Sequence, residues 1–182
     1  MGEVGLFAQA TIVRGAWQLR SGMRWDNTSF DVTDALGSGS GQRTMAAVSG
    51  SASLTRAVGR ATTWASLSTA FETPTTTELA NQPDGRTGLN RVLDPQRSVS
   101  LEVGLRSPVA FGQIEAAAWN TSTRDAITPF QEIGGRSYYT NAGRTRTRGV
   151  EAAAQATLRP GIVALATVTV TCLLYTSDAA DE

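Results

Sequence analysis

The sequence predicts an all-β protein, an antiparallel transmembrane β-barrel fragment of about eight strands. Three observations favour this fold: apolar and polar residues alternate with a period of two, many of the alternating stretches are long, and short and long connections follow one another along the chain. A period of two gives a strand one apolar and one polar face. Strands of soluble proteins are usually shorter, about five or six residues.

The second and fifth alternating stretches carry the clearest pattern. Their apolar residues are predicted to face lipid, and the residues between them to face the lumen of a barrel. The predicted lipid-facing residues are Trp17, Leu19, Met23, Trp25, Val99, Leu101, Val103 and Leu105. The predicted lumen-facing residues are Gln18, Arg20, Arg24, Glu102 and Arg106. The eight predicted strands are, in order, 4–12, 16–27, 44–54, 61–71, 98–106, 111–121, 149–158 and 162–171.

Short and long connections alternate between these strands. The short ones are 13–15, 57–60, 107–110 and 159–161, and the long ones are 31–43, 72–97 and 126–144. All long loops therefore emerge at one end of the sheet. Outer-membrane barrels have this layout, with tight periplasmic turns and long extracellular loops.

A soluble β-sandwich is the alternative fold. Its strands also alternate, but its apolar face has to pack against a second sheet. Many apolar positions in this sequence are alanines, such as Ala116, Ala118 and Ala152. Residues this small make a thin soluble core but an acceptable surface toward lipid, so the sequence favours the barrel.

Composition excludes several classes of function. Sixteen arginines balance sixteen acidic residues, which argues against a nucleic-acid partner. The chain has no histidine, and hence neither the base of Ser-His or Cys-His nucleophiles nor the usual nitrogen ligands of zinc. The single cysteine, Cys172, permits no internal disulfide. We therefore predict no catalytic residue, no metal site and no cofactor, and a protein that is not an enzyme.

The last residues depart from the rest of the chain. Residues 172–182 contain the only cysteine and three acidic residues, and the alternation fades there. This stretch resembles the translation of a transposase adapter used in shotgun DNA sequencing. We therefore expect residues 1–171 to be a partial barrel, residues 172–182 to be a non-native tail, and the natural reading frame to continue past Thr171. A natural acidic tail is the alternative.

Five motifs, in matching order and spacing, resemble TonB-dependent outer-membrane receptors. Phe71-Glu-Thr-Pro74 followed by Glu78-Leu79 is similar to their Gly-Phe-Arg-x-Pro-x-x-x-Glu-Leu segment, although Ala70 and Glu72 replace the usual Gly and Arg. The other four are Leu93-Asp-Pro95-Gln-Arg-Ser98 with Glu102-Val-Gly104-Leu105, Asn141-Ala-Gly143 with Arg148-Gly-Val-Glu151, Gly5-Leu-Phe-Ala-Gln9, and Gly22-Met-Arg24-Trp25-Asp26.

The resemblance implies a fold and a function. Family members close a 22-stranded barrel around an N-terminal plug, so eight strands are roughly a third of the barrel. It implies active import of a scarce ligand, such as a ferric siderophore, haem or cobalamin, across the outer membrane of a Gram-negative bacterium. Residues 128–139 resemble receptors for iron complexes, so we expect a ferric siderophore. TonB would supply the energy through the N-terminal part, which is absent from this sequence. The alternative is a complete eight-stranded barrel with a structural or adhesive role.

Arginines of the long loops are the candidate ligand-binding residues. Arg86, Arg91 and Arg136 are predicted to bind an anionic iron complex, because guanidinium groups suit carboxylate and catecholate oxygens. Near Arg136, Tyr138 and Tyr139 are expected either to stack on the ligand or to join the outer aromatic girdle. Lipid and lipopolysaccharide are the other expected partners.

Three further arginines fall on the lipid side by the strict alternation. Arg144, Arg146 and Arg148 share the parity of the apolar residues that follow them. An arginine at the bilayer midplane costs about 2–4 kcal/mol, falling to about 0–1 kcal/mol near the interface. We therefore expect these three to stand above the bilayer facing lipopolysaccharide. A bulge near Gly149 that turns them inward is the alternative.

Overall fold

The computed structural model describes residues 1–33, 39–82, 86, 88–133, 136–141 and 143–176, which form ten strands and one short helix, α1 (Thr76–Leu79). The strands are β1 (Gly2–Arg14), β2 (Trp17–Val32), β3 (Gly41–Val58), β4 (Ala61–Glu72), β5 (Gln96–Val109), β6 (Gly112–Arg124), β7 (Ile127–Ile133), β8 (Arg136–Asn141), β9 (Arg144–Arg159) and β10 (Ile162–Thr176). Eight of them form one antiparallel sheet in the order β1-β2-β3-β4-β5-β6-β9-β10, and β7 and β8 form a separate hairpin.

The eight predicted strands are confirmed, and each is longer than the alternation predicted. They run from 12 residues in β4 to 18 residues in β3. The pattern missed the hairpin of β7 and β8, which lies inside the third long connection. These strands have only 7 and 6 residues, and an irregularity between Pro129 and Gln131 shifts their register, so no regular alternation marks them.

The four short connections are two-residue turns at one end of the sheet. Gly15, Gly59 and Gly161 occupy them with φ of 58°, 59° and 82°. Tight hairpin turns need positive φ, which glycine adopts without steric penalty. The fourth turn, between β5 and β6, joins Val109 to Gly112. The long connections all lie at the opposite end, as the sequence predicted.

The strand register separates the sheet into two faces. A row of directly opposed residues crosses all eight strands, and every member is apolar: Ile12, Leu19, Leu54, Ala65, Val103, Ala118, Val150 and Val170. We call the side of this row the apolar face and the other the polar face. All eight predicted lipid-facing residues lie on the apolar face and are 38–64% exposed. Their contact with lipid stays a prediction.

Several charged residues of the polar face have side-chain partners on the same face. Arg24 donates from Nε to both carboxylate oxygens of Asp26, at 2.6 and 2.8 Å. Arg106 donates to Glu115 at 2.8 Å, and the indole N–H of Trp64 donates to Glu102 at 2.7 Å. Three of the five predicted lumen-facing residues thus have partners on this face.

The register also decides the orientation of the three late arginines. Pairing of β9 with both neighbours runs without interruption through Gly149, and the shift between β9 and β10 lies at Ile162 and Val163 instead. The alternative of a bulge near Gly149 is therefore wrong. Arg144, Arg146 and Arg148 lie on the apolar face with Val150.

The two alternative folds do not match this sheet. Among the described residues no second sheet covers the apolar face, which a soluble sandwich requires. Within the same residues β1 pairs only with β2 and β10 only with β9, so the sheet is open and is not a closed eight-stranded barrel. No helix of the described chain is long and apolar enough to cross a membrane.

The predicted non-native tail begins inside β10. Residues 172–176 continue the pairing with β9 as far as Arg144, whereas residues 177–182 lie outside the described part of the chain. Ladder hydrogen bonds join backbone groups and are compatible with many side chains. The boundary after Thr171 therefore stays a prediction.

We expect residues 1–171 expressed alone to form no stable monomer in detergent. Both edge strands present unpaired N–H and C=O groups, and each such group in hydrocarbon costs several kcal/mol. The measurement is electrophoretic heat-modifiability together with protease resistance. A resistant, heat-modifiable monomer would contradict this and would restore the small-barrel alternative.

The two faces predict opposite environments for neighbouring side chains of β5. In the complete protein, a spin label at Leu101 is expected to be relaxed by a lipid-soluble agent. A label at Glu102 is expected to respond more strongly to a water-soluble agent, because consecutive residues of a strand point to opposite faces. Equal responses at the two positions would sink the lipid-facing assignment.

Candidate functional site

At the long-loop end, the connection between β4 and β5 folds over the polar face. Its helix α1 begins with a capping box: Glu78 N–H donates to Thr75 Oγ1 at 3.3 Å, and Thr75 N–H donates to Glu78 Oε2 at 2.7 Å. The cap holds α1 so that Leu79 points into the protein with no exposed surface.

A small hydrophobic core joins this connection to the sheet. Phe30 of β2 and Met45 of β3 supply the strand side, on the polar face. Leu79, Leu89 and Leu93 supply the loop side, and all three are at most 3% exposed. The largest buried side chains of the described chain are thus at the loop end, so burial of apolar area fixes the loop on the strands.

Hydrogen bonds of Arg43 and Asn90 reinforce this core. From β3, Arg43 donates to the carbonyl of Asn90 at 3.2 Å and to Asp94 Oδ1 at 2.6 Å. The fully buried Asn90 donates from Nδ2 to the carbonyl of Tyr139 at 3.2 Å. One asparagine therefore joins β3, the loop before β5 and strand β8.

Asn141 closes the same network from the hairpin. Its Oδ1 accepts from Asp94 N–H at 2.6 Å, and its Nδ2 donates to the carbonyls of Asp94 and Asp125, both at 2.7 Å. Arg43, Asn90, Asp94 and Asn141 form what we call the loop-anchoring network. The network joins the connection between β4 and β5 to the connection between β6 and β9. We call these joined connections the loop layer.

A backbone contact brings in the remaining long connection, between β2 and β3. Gly88, with φ of 112°, lies so close to Gly39 that a Cβ on Gly88 would stand 2.4 Å from the Cα of Gly39. Leu89 N–H donates to the carbonyl of Gly39 at 2.8 Å. Only glycine allows both the positive φ and this approach.

Beside this contact, a cleft of about 190 Å³ opens between the loops. Arg91 is one of its lining residues and is exposed. The exposed Arg86 accepts through its carbonyl from the N–H of Gln82, another lining residue, at 3.0 Å. The cleft residues are Gly39, Ser40, Gln82, Leu89, Asn90, Arg91 and Val92.

The third predicted arginine lies on the neighbouring hairpin. Arg136 is the exposed first residue of β8, and the next residue, Ser137, accepts through its carbonyl from Asn81 Nδ2 at 3.3 Å. Arg136 and Arg86 thus flank the contact between the hairpin and the β4–β5 loop. The structure places all three arginines in one loop layer, and Arg91 lines the cleft.

The two tyrosines of β8 serve packing. Tyr138 is 3% exposed, and Tyr139 packs against the core of Phe30 and Leu93. Neither of the expected roles, stacking on a ligand or forming an outer girdle, fits these positions. Sequence reasoning also missed Arg43 and Asn90 as organising residues, because their partners lie 47 to 51 residues away in the chain.

A larger concavity lies on the apolar face. A depression of about 560 Å³ exists because alanines stand between larger residues across β5, β6, β9 and β10. Its lining is mostly apolar, with Thr63 and Glu151 as the polar residues. Among the described residues, no cluster of Cys, Asp and Glu is arranged to hold a metal ion.

Comparison with known proteins places the sheet in context. A sequence model described as "TonB dependent receptor-like, beta-barrel" matches residues 2–182. The copper transporter OprC is similar with a TM-score of 0.80, at 21% identity over 94% of this chain. The FrpB iron transporter from Neisseria meningitidis is similar with a TM-score of 0.72, at 18% identity over 96% of this chain. The siderophore receptor PirA from Pseudomonas aeruginosa is similar with a TM-score of 0.68, at 15% identity over 96% of this chain. The chain covers 28%, 26% and 43% of these three structures, less than half of each.

Replacing Asn141 with alanine is expected to loosen the loop layer without unfolding the sheet. The change removes three hydrogen bonds of about 0.5–1.5 kcal/mol each, so local opening should rise at least about tenfold. The measurement is the rate of loop proteolysis in the complete protein at unchanged heat-modifiability. Asn81→Ala, which removes one long hydrogen bond, is the matched control. Equal rates in the two variants would refute the anchoring role of Asn141.

Proposed function

The chain belongs to the TonB-dependent receptor family, within the β-barrel domain, and we propose that it forms about a third of the wall of a receptor that binds and imports a ferric siderophore. The loop layer carries this proposal. It is an anchored platform over the polar face, with a cleft and three exposed arginines, at the end where the long connections gather.

Members of this family are transporters of the Gram-negative outer membrane and are not enzymes. In our proposal the apolar face lies against the lipid of that membrane and the polar face lines the lumen. The loop layer then faces the outside of the cell. Energy would come from the inner membrane through TonB, which would contact a part of the receptor outside the present sequence.

Arginine chemistry favours an anionic iron complex as the ligand. A guanidinium group presents its N–H donors in a planar fork that matches carboxylate and catecholate oxygens. Of the similar structures, FrpB is named an iron transporter and PirA a siderophore receptor. Arg86, Arg91 and Arg136 would hold the outer oxygens of such a complex at the mouth of the lumen.

A bare metal ion is the second candidate, since OprC is a copper transporter. Copper ions favour imidazole, thiolate and thioether ligands. This chain has no histidine, and the described residues contain no cluster of Cys, Asp and Glu for a metal ion. The residues of this chain are therefore better suited to the organic shell of a siderophore than to the metal itself.

Replacing Arg86, Arg91 and Arg136 together with alanine tests the ligand class. Hydrogen bonds to charged groups contribute about 1.5–3 kcal/mol each, so losing even one should weaken binding at least about tenfold. The measurement is equilibrium binding of an anionic ferric catecholate and a neutral ferric hydroxamate by the complete receptor. The catecholate should lose affinity more strongly.

The matched control for this experiment removes three arginines from the opposite end of the sheet. Arg14, Arg56 and Arg60 lie at the two-residue turns, so their replacement with alanine removes the same charge far from the loops. Binding should then stay unchanged. If the loop variant also binds both complexes normally, the three arginines are not the ligand site, and only membership of the family remains.

A further inference from the structure

Five arginines gather on the apolar face at the long-loop end. Arg97, Arg124 and Arg144 are directly opposed on β5, β6 and β9, so they form a row across three adjacent strands. Arg146 and Arg148 follow Arg144 on the same face of β9. All five side chains are exposed. We call these five residues the arginine patch.

Four of the five patch residues are not neutralised by carboxylates of the described chain. In the described part of the chain, Arg97, Arg124, Arg146 and Arg148 have no carboxylate within ion-pair distance. On the polar face, Arg24 has two such carboxylates and Arg106 has one. Like charges directly opposite one another on neighbouring strands are destabilising. A row of arginines in this arrangement therefore fits an external polyanion.

A neutral side chain aligns two of the guanidinium groups. Asn120 Oδ1 accepts from Arg146 Nε at 2.7 Å and from Arg148 Nε at 3.1 Å. Both arginines are thereby held side by side, and their terminal N–H groups are left for another acceptor. Paired guanidinium forks bind phosphate oxygens in this manner.

The patch lies beyond the length of strand that crosses hydrocarbon. Arg148, the patch residue of β9 nearest the short turns, is eleven residues before Arg159, where that strand ends. Arg97 and Arg124 are each twelve residues from the turn that joins Val109 to Gly112. A transmembrane strand needs about 9–11 residues, so all five arginines stand at or above the outer interface.

An apolar groove begins directly below the patch. The depression of about 560 Å³ is lined by Ala118, two residues from Asn120, and by Val150, two residues from Arg148. Ala116 and Ala152 continue it toward the short turns. The small side chains leave room for a hydrocarbon chain running down the sheet from a head group bound at the patch.

We propose that the arginine patch and the groove below it bind one lipopolysaccharide molecule of the outer leaflet, phosphates on the arginines and an acyl chain over the alanines. This rests on the membrane placement in the proposed function. Three strands spaced about 4.8 Å apart spread the patch over roughly 10 Å, which suits a lipid bearing several phosphates better than a free phosphate or a phospholipid with one.

The test measures lipopolysaccharide binding by the complete receptor purified in detergent. The variant Arg124→Gln/Arg146→Gln/Arg148→Gln should bind fluorescent lipopolysaccharide at least about tenfold more weakly, because charge-assisted hydrogen bonds to phosphate are lost. The control Arg14→Gln/Arg56→Gln/Arg60→Gln removes as much charge at the opposite end and should bind normally. Equal affinity of patch variant and wild type would overturn the proposal.

The probes separate lipopolysaccharide from other phosphate sources. Dephosphorylated lipopolysaccharide should bind the wild type as weakly as intact lipopolysaccharide binds the patch variant. Inorganic phosphate and vesicles of phosphatidylglycerol should compete poorly. Competition by either at equal affinity would overturn the assignment to lipopolysaccharide.

A second variant keeps every arginine. Ala118→Leu/Ala152→Leu fills the groove with larger apolar side chains that are compatible with a lipid-facing surface, so the barrel should still assemble. The affinity for lipopolysaccharide should fall several-fold, while competition by inorganic phosphate should be unchanged. Unaltered affinity would remove the groove from the site.

Ferric catecholate binding should be normal in the patch variant. A wild type that binds lipopolysaccharide but no ferric complex would contradict the proposed function and leave this site standing.

Discussion

The eight-stranded sheet depends on one constraint: a sheet that crosses hydrocarbon has to satisfy its backbone hydrogen bonds from within. Long antiparallel strands with continuous register meet that requirement, and the eight main strands keep their pairing with one irregularity, between Ile162 and Val163. Continuous register then fixes which side chains share a face. The apolar row through Leu19 and Val103 and the arginine row through Arg124 are both consequences of this pairing.

The loop end obeys a different constraint, because there the chain leaves its regular ladder and has to be held by side chains. The family motifs lie at these attachment points. Leu79 and Leu93 fill the small core, Glu78 caps α1, and Asn141 joins two loops through three hydrogen bonds. These residues position the loops, while the predicted ligand-binding arginines are exposed residues of the same segments. In our proposal, anchoring and ligand capture therefore belong to different residues of the same segments.

The sequence predicted the strands, the two faces and the ends at which loops and turns lie, because each follows from a period of two in local sequence. Arg146 and Arg148 were placed on the correct face by the same parity. The hairpin of β7 and β8 was missed, since Pro129 interrupts its register. Local pattern also gave no sign of the pairing of Arg43 with Asp94, 51 residues apart, or of Tyr138 as a buried residue. Such contacts depend on how distant segments meet.

The two-residue turns at Gly15, Gly59 and Gly161 have a consequence for the order in which the sheet assembles. Each joins strands whose contacts are close in sequence, so β1–β2, β3–β4 and β9–β10 close small loops, and the turn between β5 and β6 does the same. The entropic cost of closing a loop is lowest for such short hairpins, and contacts that are local in sequence form fastest. We therefore expect the four hairpins to form early and then to join side by side. The long connections, with partners such as Arg43 and Asp94, are expected to close last.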